Sequence, residues 1–224
     1  MDPKIIVMLT YNDRTVEHAL EVFESCKDLP VEFWGFKNVG IPTSAMRRLH
    51  DAMKAAGKKT FLEVVTYTRE SCLEGAKLAV DFGFDHLMGT ILFPEVWEYL
   101  KDKPIRYLPF VGEVSGSPSL LEGSLADMLG QAARYSDVGI PGVDLLAYRW
   151  TGDDPETLAK EFVAGAPLQV VVAGSISSPE RIAAVQYIAP WAFTMGSALF
   201  TRNFVPEGSF RENLEKVLDI MDLL

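Results

Sequence analysis

Residues 168–200 read LQVVVAGSISSPERIAAVQYIAPWAFTMGSALF, and the order of runs and breaks in this stretch decides the fold. The apolar run Leu168–Ala173 has strand character and stops at Gly174-Ser175-Ile176. Ser178, Pro179 and Glu180 then carry the chemistry of a helix start: a capping hydroxyl, a proline at the first helical position and an acid behind it. A second apolar run, Trp191–Met195, stops at Gly196-Ser197, and Ala198-Leu199-Phe200 follows. Two successive parallel strands therefore each end in Gly-Ser. Glycine allows close backbone approach to a ligand, and free N–H groups ahead of a helix attract an anion. In an eight-stranded α/β barrel the loops after strands 7 and 8 are the usual phosphate site.

Outward from this stretch, strand-like runs and helical patterns alternate eight times. The strands are expected at 4–10, 31–36, 60–66, 86–89, 105–111, 143–148 and the two runs above. Helices are expected at 15–29, from Thr43 or Ser44 to Gly57, and at 70–82, 93–101, 124–135, 155–164 and 210–224. In the last of these, Leu214, Val217, Leu218, Met221 and Leu224 share one side. Eight alternations in 224 residues fit a compact, single-domain (β/α)8 TIM barrel over the whole chain. A doubly wound sheet also alternates, but it normally carries a glycine-rich turn after its first strand. Here that turn is Tyr11-Asn12-Asp13-Arg14. An internal echo supports the barrel. Met88-Gly89-Thr90-Ile91-Leu92-Phe93 resembles Met195-Gly196-Ser197-Ala198-Leu199-Phe200, 107 residues later, as two half-barrels would.

Composition narrows the function. Hydrophobic residues make up 48% and charged residues 23%, as in an ordinary globular domain. A net charge of -10 argues against a nucleic-acid partner and requires any anionic substrate to be held by local donors. Only Cys26 and Cys72 are present, which suggests no disulfide framework and a reducing, cytoplasmic setting. No run is long enough to span a bilayer, so no membrane partner is expected.

VVVAGSIS followed by FTMGSALF resembles the strand-7 and strand-8 signature of the ribulose-phosphate-binding barrels, a class that includes phosphoribosyl isomerases, sugar-phosphate epimerases and decarboxylases. The resemblance covers residues 168–200, with weaker support over 60–93. It implies a small phosphorylated, sugar-like substrate held by Gly174, Ser175, Gly196 and Ser197; the internal echo adds Gly89 and Thr90 as at most a weak second polar subsite. Isomerases of this class set an acid and a base on opposite strands. This chain departs from that pattern. Asp13 reads as a helix cap, Asp144 as an anchor at the start of strand 6, away from the reactive end, and Asp153 lies farther out in the loop.

Other polar groups fall at the reactive, C-terminal ends of strands. Lys37 follows strand 2, Glu63 shares a face with Phe61 in strand 3, Glu113 follows strand 5 and Arg149 follows strand 6. Lys37, Glu63 and Glu113 are the catalytic candidates, and Arg149 suits bidentate binding of phosphate or carboxylate. Glu63 equally fits a structural ion pair with Lys37. The expected activity is an isomerase, epimerase or lyase working by proton transfer. A Schiff-base aldolase using Lys37 is one alternative. An FMN-binding barrel and a non-catalytic phosphate sensor are the others. No cofactor is required, and no histidine pair has zinc-ligand spacing. A magnesium ion between Glu63 and Glu113 is compatible with the residues. The long loop Gly112–Gly123 suggests a mobile cover. The apolar loops at 91–94 and 200–206 suit either the site wall or a homo-oligomer contact.

Overall fold

The computed structural model describes residues 2–223. Eight parallel strands form the barrel: β1 (Lys4–Met8), β2 (Phe33–Lys37), β3 (Lys59–Val64), β4 (His86–Gly89), β5 (Arg106–Leu108), β6 (Gly142–Leu145), β7 (Gln169–Val172) and β8 (Ala192–Met195). Hydrogen-bonded order runs β6-β7-β8-β1-β2-β3-β4-β5. The seam between β5 and β6 is closed by a single parallel bridge between Phe110 and Asp144. There the Asp144 N–H donates to Pro109 O at 2.9 Å, and the Val111 N–H to Asp144 O at 3.3 Å.

The helices are α1 (Ala19–Cys26), α2 (Thr43–Ala55), α3 (Arg69–Phe82), α4 (Pro94–Leu100), α5 (Leu125–Asp137), α6 (Pro155–Gly165), α7 (Pro179–Ile188), the one-turn α8 (Ser197–Phe200) and α9 (Phe210–Asp222). Local chemistry explains most boundaries. Ser178 accepts from the Arg181 N–H and starts α7, and Gly83 ends α3 in the left-handed region at φ +80°. Strand alternation sorts the side chains. Trp34 and Phe36 face outward, where Trp34 meets Phe23 of α1 edge-on at 5.1 Å. Phe33 and Phe61 face inward with His86 and Trp191, plugging the N-terminal end of the barrel. Lys37, four residues beyond Phe33, and Glu63, two beyond Phe61, lie farther along the same inward faces, toward the opposite end.

Several boundaries differ from expectation. Helix α1 begins at Ala19 and not at Thr15, because 10–15 form a hairpin in which Thr10 pairs with Thr15. Its two central residues, Asn12 and Asp13, both have positive φ, +49° and +57°, as a two-residue hairpin turn requires. Helix α2 starts after Pro42, and neither Thr43 nor Ser44 caps it. Strand β6 stops at Leu145, and Ala147–Arg149 form a 3-10 turn. The loop at 112–123 is an ordered hairpin, Glu113–Ser115 against Leu120–Glu122, with Val114 and Leu121 buried. Phe200 packs against Phe210 at 4.7 Å. Leu224 lies outside the described residues.

Candidate active site

A cavity of about 300 Å³ opens at the C-terminal end of the barrel. One wall is the pair of turns after β7 and β8, including Gly174, Ser175, Gly196 and Ser197; Lys37, Glu63, Asp13 and Arg149 also line it.

The turn wall is built for backbone approach. Gly174 has φ +84° and Ser175 φ +52°, a left-handed pair that aims the chain away from the strand. A Cβ on Gly174 would stand 3.2 Å from Arg149 Nε, and one on Gly196 only 2.9 Å from Met8 O and 3.0 Å from Thr10 O. Gly196 is therefore required for packing as well as for approach. Ser197 opens α8, whose first N–H groups have no intrahelical acceptor. Arg181 donates to Ser175 O and lies over the Tyr148 ring at 4.6 Å. It lines the same wall.

Opposite stands a charge network. Lys37 and Glu63 are direct partners in the β2–β3 register, so both side chains project to the same inner layer. Lys37 Nζ lies 2.9 Å from Asp13 Oδ1 and 3.3 Å from Glu63 Oε1, and its side chain is 7% exposed. Arg149 reaches the same Asp13 carboxylate, at 3.2 Å to Oδ1. The hairpin places Asp13 there: Thr15 Oγ1 donates to Lys37 O at 2.7 Å and accepts from the Lys37 N–H at 2.9 Å. Burial alone would lower the Lys37 pKa, but Glu63 and Asp13 outweigh it and raise it. Burial likewise pushes Asp13 up, and Lys37 and Arg149 outweigh it, holding that carboxyl below its ordinary range.

Asp144 lies inside the barrel, fully buried, with both carboxyl oxygens unpaired. Burial, then the nearby Glu63 charge, drive its pKa well up; Lys37, Arg149 and the Gly89 N–H oppose this weakly. It is a buried carboxyl in the barrel interior and not the loop anchor expected at the start of strand 6.

The structure thus brings together Lys37, Glu63, Arg149, Gly174, Ser175, Gly196 and Ser197. It does not bring in the other three candidates. Glu113 is exposed on the hairpin, where it pairs with Glu122, and it does not line the cavity. Gly89 and Thr90 are absent from the lining, and Thr90 is fully buried with its hydroxyl 2.6 Å from Tyr107 OH. The echo is unlike in conformation: Gly89-Thr90 has φ +75° and +66°, whereas Gly196 has φ −141° and Ser197 is helical. Among the described residues, no three His, Cys, Asp or Glu side chains are grouped to hold a metal, and Glu63 is occupied by Lys37. Asp13 lines the cavity and does not cap α1, and Arg181 is a lining residue outside the sequence candidates. One signal pointed to Arg181. A cation in the first turn of a helix opposes the helix dipole, so its presence there asks for an anion nearby.

No protein-family model and no curated protein matches this chain. Solved structures do. Orotidine 5′-phosphate decarboxylase from Pyrococcus horikoshii superposes with a TM-score of 0.70 at 12% identity, over 97% of this chain and 99% of that one. Phosphoribosyl anthranilate isomerase from Thermotoga maritima gives 0.64 at 15% identity, over all of both chains. A mandelate oxidase gives 0.64 at 15%, over 97% of this chain and 72% of its own. The chain has the (β/α)8 barrel fold of these proteins.

Proposed function

We propose that this protein is an isomerase or lyase acting on a small phosphate monoester by proton transfer at carbon. One observation carries the reading: a buried lysine, kept charged by two carboxylates, faces two Gly-Ser turns across one cavity. The turns, Arg149 and Arg181 supply N–H groups and positive charge for the phosphate. Lys37 supplies a fixed ammonium where an enolate or carbanion would form. Such a charge stabilises that intermediate in a water-poor site and is placed to return a proton to carbon. Glu63 is the base candidate, and Asp13 orients the lysine and Arg149. The raised Lys37 pKa disfavours the Schiff-base reading, which needs a neutral amine. A structural neighbour that is a decarboxylase and another that is an isomerase, both of phosphorylated compounds by name, support the general kind of chemistry.

The test is solvent exchange. The protein is incubated in D2O with a panel of aldose and ketose phosphates, and proton NMR follows deuterium entering next to the carbonyl. Exchange is expected for at least one member, with loss in Lys37→Met and in Glu63→Gln. Exchange that persists in both variants would place the chemistry elsewhere.

A further inference from the structure

A second cavity of about 300 Å³ adjoins the first and shares Asp13, Lys37 and Ser119 with it. Its walls are the hairpin at 10–15, the residues after β2 and β3, and the tip of the hairpin at 113–122. Lys37 therefore stands at the junction of two compartments, and only one of them carries the Gly-Ser turns.

The second compartment has its own chemistry. Asp13, its one acidic lining residue, is already matched by Lys37 and Arg149. Arg14 lines it on the exposed hairpin and forms no ion pair in the described structure. The Asn12 and Asn38 amides line it as well, beside the apolar Val39 and Val65. Uncompensated charge in the compartment is thus positive, in a protein of net charge -10. The Tyr67 hydroxyl, donating to Gly116 O at 2.8 Å and sharing a 2.7 Å bond with Ser119 Oγ, fastens the hairpin over it.

From this we infer that the substrate is a phosphate monoester with a carboxylate at its other end, the phosphate at the β7–β8 turns and the carboxylate at Arg14. The inference rests on the proposed phosphate site and adds the second anchor. A guanidinium with flanking amide donors suits a planar carboxylate. The reacting carbon then lies between the anchors, against Lys37.

Titration calorimetry with two probes, erythronate 4-phosphate and erythritol 4-phosphate, separates the two ideas, because they differ in whether the far end is a carboxylate or an alcohol. The wild-type protein is expected to bind the carboxylate probe at least about tenfold more tightly. Arg14→Ala should bring that ratio close to one. If both probes bind wild type equally, the second anchor is overturned and the phosphate site stands. If the ratio survives in Arg14→Ala, the carboxylate is held by another group and the assignment to Arg14 is overturned. If neither probe binds, the phosphate site itself fails and this inference with it.

Discussion

The residue that says most is Asp13. It takes φ +57° in a hairpin turn where glycine or asparagine is the easy choice, so its conformation costs energy that its side chain must offset. It does so by neutralising Lys37 and Arg149 at once. Asp144 poses the opposite problem, as a buried carboxyl without partners. Leaving such a group unpaired costs about 1–3 kcal/mol. Asp144→Asn keeps nearly the same volume and removes only the ionisable group, so it isolates the effect of charge at this buried position. The pH dependence has a definite sign. The unfolded chain releases this proton near the ordinary aspartate value of 3.8, while the folded chain keeps it to higher pH. Asp144 thus contributes stability that is full below that value and is lost as pH rises toward its folded pKa. The stability of Asp144→Asn relative to wild type should rise between pH 4 and 7, as urea unfolding at both ends of that range measures. A relative stability that falls with pH would show that Asp144 is ionised in the fold. Gly196 is a poor place for a test by size, since any side chain meets the backbone of Met8 and Thr10.

Elements were legible in the sequence where one local rule decided them. Strand-turn-helix-strand at 168–195 followed from apolar runs, glycines and the Ser178-Pro179 start. The inward pairing of Lys37 with Glu63 followed from period-two alternation across adjacent strands. The hairpin at 10–15 was hidden because Asn-Asp ahead of an apolar helical spacing also reads as a helix start; tertiary bonds from Thr15 to Lys37 decided it. Asp144 reads as an anchor because strand 6 is expected at 143–148; β6 runs instead from Gly142 to Leu145, so Asp144 is its third residue and lies beside the seam. The hairpin at 113–122 read as a loose cover because its strands are three residues each. Tyr67 holds it, so Tyr67→Phe should loosen it. Hydrogen exchange by mass spectrometry is expected to be faster across 113–122 and unchanged in α7 and α9. No change across 113–122 would mean that packing of Val114 and Leu121 alone holds the hairpin.

The molecule as a whole sets a negative field against a local positive site. Net charge is -10, yet Lys37, Arg149 and Arg181 converge on one cavity at the end of the barrel where β7 and β8 turn back. Backbone N–H groups at the two turns would complete the proposed phosphate grip without adding net charge. The echo between 88–93 and 195–200 suggests at most a weak polar subsite at Gly89 and Thr90; the structure buries Thr90 against Tyr107. With one proposed phosphate site per barrel, a sugar bisphosphate is expected to bind within about tenfold of the matching monophosphate in titration calorimetry. The site itself is tested most directly by titrating glycerol 3-phosphate into the wild-type protein and into Ser197→Glu, which places a negative charge on the exposed first residue of α8. Saturable binding to wild type is expected, weakened at least about tenfold, or about 1.4 kcal/mol, in the variant at an unchanged unfolding midpoint. Equal affinity in the two proteins, or no binding to wild type at millimolar ligand, would contradict a phosphate grip at the β7 and β8 turns.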